Sequence, residues 1–177
     1  MFKNLIMGCL LIGMIILTST TEVVAQSDNQ NNYEIIVLVK LSEKRLFLFK
    51  NGVEIASYPV AVPKSNLYHR QTEGELIKIV VNPVWYPTEK TRNYYLKTKG
   101  VELPKIVPPA DPRNAMGAAK LIIKFNGVSE PIRIHGTNDP NSISKRITRG
   151  CIRLHNKDIL NLINLIKNQK VKVKIET

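Results

Sequence analysis

Cysteine, tryptophan and acid are scarce in this 177-residue chain. Two cysteines, Cys9 and Cys151, and one tryptophan, Trp85, stand beside 14 Asp+Glu and 26 Lys+Arg. No CxxC pair occurs, so the usual framework of a structural zinc site is missing. The longest apolar run, Leu5 to Leu17, has 13 residues, whereas a comfortable bilayer span takes ~20. No internal repeat and no second domain can be delimited. The shortage of acid leaves a net charge of +12. That balance implies an anionic partner or anionic surroundings, or lysines retained for solubility.

What is present begins with the leader. Lys3 precedes the apolar run, and "EVVAQS" follows it with small residues at Val23 and Ala25. This pattern predicts a secretory signal peptide over residues 1–25, cut after Ala25. An uncleaved N-terminal anchor is the alternative. Cleavage removes Cys9 and leaves Cys151 as a lone thiol in an exported protein, where no internal disulfide can form. Export makes a cell-wall polymer or membrane surface the expected anion, and argues against nucleic acid. Residues 26–32, "QSDNQNN", read as a disordered leader, and residues 33–177 as one domain.

From Tyr33 the pattern turns to β. "EIIVLVKL" and "RLFLFK" lead into Asn51-Gly52 and "VEIASYPVAV", a hairpin signature followed by continuing strand. "ELIKIVVNP", "AAKLIIKF" and "PIRIHG" are further strands, with a turn at Asn126-Gly127. "NKDILNLINLIKNQ" has helical apolar spacing with Asn156 as N-cap. The alternating "KVKVKIET" predicts a closing, edge-like strand. Between them, Val84 to Pro109 shows no clear period and reads as a long functional loop. Its aromatics, Trp85, Tyr86, Tyr94 and Tyr95, either pad that loop or meet a ligand. The expected fold is mostly β (β-rich α+β), with one helix after Cys151.

The chemistry concentrates between His135 and Arg153. Cationic neighbours and oriented N–H groups favour a thiolate, and Arg149 and Arg153 each lie two residues from Cys151. Gly150 permits a tight turn that can aim main-chain N–H groups at a developing oxyanion. A nucleophile needs a base, and His135 ends an apolar strand where it can reach the mouth of a sheet. These residues predict a Cys–His acyl-transfer site. A zinc site from Cys151, His135 and His155 lacks a fourth ligand. His155 reads as a surface or cap residue, and His69 as a loop histidine.

The segments "HG" at His135-Gly136 and "TRGCIR" at Thr148–Arg153 resemble the signature of YkuD-type L,D-transpeptidases. The likeness extends through "RLFLFKNGVEIASYPVAV", "NPVWYPT", "VELPKIVPPADPRNAMG" and "CIRLHNKDIL", and suggests Gram-negative periplasmic members. The resemblance implies a β-sandwich catalytic domain that cross-links peptidoglycan without metal or organic cofactor. It implies Cys151 as nucleophile, His135 as general base and acid, and the Gly136 carbonyl as orienter of the imidazole. It further implies oxyanion N–H groups at Gly150 and Cys151, and substrate contacts from Arg153, Thr148, Arg149, Trp85 and Tyr86. The implied partners are peptidoglycan stem peptides, and an envelope lipoprotein as another acceptor, for a monomer acylated also by carbapenems.

Two positions depart from the family pattern. Arg149 stands where a histidine is usual, which predicts an altered pH profile. "QTEG", Gln71 to Gly74, lacks the usual turn proline. The alternatives carried forward are an L,D-carboxypeptidase or lipoprotein-detaching hydrolase with the same site, and a noncatalytic wall-binding module.

Overall fold

The computed structural model describes residues 34–64, 72–125 and 132–177. The leader (1–32), His69 and the Asn126-Gly127 turn lie outside the described residues. Along the chain run β1 (Ile35–Lys40), β2 (Arg45–Lys50), β3 (Val53–Pro59), β4 (Val62–Pro63), β5 (Thr72–Val81), α1 (Glu89–Lys99), β6 (Ala119–Phe125) and β7 (Ile132–His135). After a 3₁₀ turn at Pro140–Ser142 come β8 (Arg146–Thr148), β9 (Ile152–Arg153), α2 (Asn156–Ile166) and β10 (Val171–Glu176).

Eight strands form one curled sheet in the order β3-β2-β1-β10-β5-β6-β7-β9, and β4 pairs with β8 in a small second sheet. One face closes on itself as the core. Val37, Leu48, Leu121, Ile123, Ile134, Ile152 and Val173, drawn from six strands, lie in a single buried cluster with Ile159, Leu162 and Ile166 of α2. Each such side chain contributes about 2 kcal/mol by leaving water. Strict alternation sends the intervening residues to the opposite, open face.

The Asn51-Gly52 turn forms as expected. Both residues have positive φ (50° and 78°), the backbone that matches the twist of a two-residue hairpin. The expectation for "KVKVKIET" is corrected: β10 is an interior strand, parallel to β1 and antiparallel to β5. Its alternating lysines sit on the open face, where Lys172 and Lys174 both reach Glu73 (2.6 and 3.1 Å). An open-faced interior strand alternates as cleanly as an edge.

Asn156 is also corrected as an N-cap. His155 occupies that position without a side-chain hydrogen bond, and Asn156 is the first helical residue. Its amide acts elsewhere, as described below.

The stretch without a clear period contains a second helix. Thr88 caps α1 by accepting from the Thr91 N–H (3.2 Å), and Gly100, at φ 62°, ends it by donating to Leu96 O (3.1 Å). No residue of α1 is buried, which explains the missing apolar stripe. The excursion has its own small core of Trp85, Leu103, Val107 and Ala115, with Tyr95 edge-on to Trp85. Buried Asn114 closes it, donating to the carbonyls of Pro83 (2.9 Å) and Pro108 (3.0 Å) and accepting from Met116 N (2.9 Å).

Candidate active site

β7 delivers His135 to the rim of the sheet because Ile134, its neighbour, is held in the core. The imidazole is 2% exposed. Its Nδ1 lies 2.6 Å from the Gly136 carbonyl oxygen. A carbonyl only accepts, so Nδ1 carries the proton and Nε2 keeps its lone pair. The expected orienting contact is therefore in place.

Gly136 is held in turn. Its N–H donates to Ala119 O (2.9 Å). The Asn156 amide oxygen accepts from both Ala118 N and Thr137 N (3.0 Å each). One side chain thus fastens the start of β6 to the chain just beyond the histidine. Gly117 (φ 63°) and Gly136 lie so close to that amide that a Cβ on either would collide with it.

Cys151 precedes β9. Gly150 adopts φ 143°, a backbone that side-chain-bearing residues rarely take. Thr148, 3% exposed, donates its hydroxyl to Cys151 O (2.6 Å), and the Gly150 N–H faces the same hydroxyl at 3.5 Å. Thr148 is directed into its own turn and fixes the sulfur's backbone.

The electrostatics correct the expected thiolate. Burial pushes the Cys151 thiol above its usual range, against the opposing pull of Arg133, Arg153 and the Arg133 main-chain N–H. Burial also brings His135 down to about 4, assisted by Arg153, Arg133 and Lys120 and opposed by its bond to Gly136. At neutral pH both groups are uncharged. The cations are present, but desolvation outweighs them.

Arg149 is exposed and does not supply that pull. Its guanidinium lies 4.7 Å from the centroid of the Tyr94 ring, linking the cysteine turn to α1. Trp85 is largely buried in the small core, whereas Tyr86 is 66% exposed beside it. Arg153 pairs its backbone with Ala61 (2.9 and 3.0 Å), and its Nε is buried without an acceptor. The sequence reading does not single out Arg133 or Lys120, and it takes Asn156 only as a helix cap. Arg133 was legible, since two residues before His135 on a strand is the same face.

The histidine's environment predicts acid sensitivity. An unfolded chain protonates this imidazole near its ordinary 6.5 and the folded protein only near 4, so the unfolded state binds more protons between them. Stability is complete above 6.5 and declines as pH falls through 4, by roughly 3 kcal/mol for this group alone. Urea midpoints measured from pH 4 to 7 should show that slope, and His135→Gln should flatten it. Equal slopes would contradict the assignment.

A shallow cavity of about 370 Å³ beside the site is lined by Thr137, Asn138, Pro140, His155, Asn156 and Lys157. Among the described residues, no three His, Cys, Asp or Glu side chains gather as a metal site.

The domain is a curled β sheet in which β9, beginning just after Cys151, pairs with β7, which ends in the buried, oriented His135. The chain belongs to the YkuD family: the family model for the L,D-transpeptidase catalytic domain matches residues 34–175. It is 34% identical over 128 residues to the probable L,D-transpeptidase ErfK/SrfK of Salmonella typhimurium, covering 70% of this chain and 38% of that protein. To the probable L,D-transpeptidase YcfS of Escherichia coli it is 32% identical over 138 residues, 73% of this chain and 40% of that one. The chain thus spans about two fifths of these relatives' length.

Among solved structures, L,D-transpeptidase 3 from Mycobacterium tuberculosis matches with TM-score 0.56 and 9% identity, over 82% of this chain and 62% of that one. The helical cell shape determining protein Pgp2 from Campylobacter jejuni matches at 0.52 and 18%, over 82% and 48%. These two likenesses establish the fold.

Proposed function

We propose that the protein is an exported L,D-transpeptidase acting on peptidoglycan, with Cys151 as nucleophile and His135 as base and acid. The observation that carries this reading is the neutral His135 imidazole, its Nδ1 proton held by Gly136 O. Nε2 is left free to accept the thiol proton as sulfur attacks. The acyl donor is a stem peptide cleaved between an L-configured centre and D-alanine. Sulfur bonds to the carbonyl carbon, the C–N bond breaks, and the imidazolium returns its proton to the departing amine. A thioester remains. An amine of a second stem peptide, or of an envelope lipoprotein, then attacks it and releases the thiol.

The low affinity of His135 for a proton serves this sequence. Burial, and after it Arg153, Arg133 and Lys120, disfavours the imidazolium, so the proton moves on to the leaving amine quickly. Oxyanion stabilisation falls to the Cys151 N–H, since the Gly150 N–H faces the Thr148 hydroxyl, and the tight glycine backbone and the Thr148 tether fix that turn. Arg153, with an unused buried donor, suits a substrate carboxylate.

The test incubates the protein with a defined tetrapeptide donor and a second stem peptide bearing a free amine. Cross-linked dimer with release of D-alanine is expected. Tripeptide as the sole product would replace transfer by hydrolysis, and no product with any donor would leave a wall-binding module.

A further inference from the structure

α1 buries none of its residues, so burial does not explain why the chain builds it. What the helix carries is a row of rings. Tyr95 lies edge-on to Trp85 of the small core, with centroids 6.1 Å apart, and Tyr94 lies edge-on to Tyr95 at 6.2 Å. The Arg149 guanidinium ends the row, 4.7 Å from the Tyr94 centroid. Ring by ring, a buried tryptophan is thus connected to the residue two positions before Cys151.

A cation over a ring at the surface is often incidental, drawn there by charge. Here charge works against the contact. α1, EKTRNYYLKTK, holds four cations (Lys90, Arg92, Lys97 and Lys99) and one acid, Glu89, so its field repels a guanidinium. Among the described residues, no carboxylate pairs with Arg149. The attraction that remains is the face of the Tyr94 ring.

The turn that Arg149 enters needs a hold. Gly150, the next residue, has φ 143° and no side chain to restrict its backbone. One tie across that glycine is the Thr148 hydroxyl, which donates to Cys151 O (2.6 Å). Arg149 gives the same turn a second tie, to an element outside the sheet.

We propose that Arg149 is a positioning residue for acyl transfer: stacked on Tyr94, it holds the Gly150–Cys151 turn and keeps the Cys151 N–H aimed at the oxyanion. It acts through the backbone and does not touch the substrate. This rests on the reading of the site as a cysteine acyltransferase.

The test measures single-turnover thioester formation against donor concentration for the native protein, Arg149→Met, Tyr94→Leu, their double variant and Tyr94→Phe. Contacts of a cation with an exposed ring shift equilibria about 2–5-fold. Arg149→Met and Tyr94→Leu should each lower the limiting rate by about that factor, with the half-saturating donor concentration unchanged. The double variant should be no slower than either alone. Tyr94→Phe keeps the ring and should match the native rate. Both side chains are exposed, so urea midpoints should not move. Additive losses in the double variant, an equal loss in Tyr94→Phe, or a raised half-saturating concentration at an unchanged rate would each overturn the proposal.

A second measurement needs no substrate. NMR relaxation should show the Gly150 and Cys151 amides more mobile in Arg149→Met and Tyr94→Leu than in the native protein or Tyr94→Phe. A loosened turn with unchanged limiting rates would overturn the positioning role. A loosened turn without any thioester in the native protein would retain the tie and reject the transferase. Thioester formed equally fast by every variant, over an equally rigid turn, would reject the tie and retain the transferase.

Discussion

Replacing His135 by glutamine lowers the rate of thioester formation by about 10²–10⁴, the range typical of a positioned proton-transfer group. The large figure follows from the resting state of the dyad. Burial holds the Cys151 thiol neutral, so the sulfur must lose its proton during attack. Only a base already in place and free of protons makes that inexpensive, and His135 is neutral down to about pH 4. Glutamine can still donate to the Gly136 carbonyl, yet offers no lone pair of comparable basicity. The wild-type acylation profile should accordingly lack an acid limb near 6.5 and descend only toward 4. A variant within threefold of wild type would mean that the thiol ionises without help from the imidazole.

Gly117→Ala is expected to cost about 3 kcal/mol of stability and to weaken the site. The position has φ 63°, strained for any residue with a Cβ. An added methyl would also strike the Asn156 amide oxygen, the Thr137 nitrogen and the Gly136 carbonyl carbon. Two of these are backbone and cannot rotate away. The displaced group is the loop whose carbonyl fixes the His135 tautomer, so acylation should fall beyond the loss of folded protein. Denaturation in urea and single-turnover acylation of the folded fraction separate the effects. A change below 1 kcal/mol would show that the Asn156 clasp yields freely.

Local signals carried much of this structure. The Asn51-Gly52 turn and the apolar stripe of α2 both follow from neighbouring residues. What was misread depends on distant partners or on burial. "KVKVKIET" has the same alternation at an edge or in the interior, and only pairing with β1 and β5 decides between them. α1 has both its caps written in Thr88 and Gly100 but buries nothing, so its period carries no trace.

Arg149 looked like the cation beside the sulfur because sequence gives proximity along the chain. In the fold it reaches Tyr94 instead, while Arg133, eighteen positions away, acts on the thiol. The thiolate itself was inferred from charge, and burial reverses the balance.

Intact-mass measurement of the protein after brief incubation with a tetrapeptide donor tests the central claim most directly. The account predicts an adduct with the mass of the acyl group on wild type, mapped to Cys151 and discharged by an amine acceptor, with no adduct on Cys151→Ala. Donor consumed at an undiminished rate by Cys151→Ala, or an adduct mapped to another residue, would contradict it.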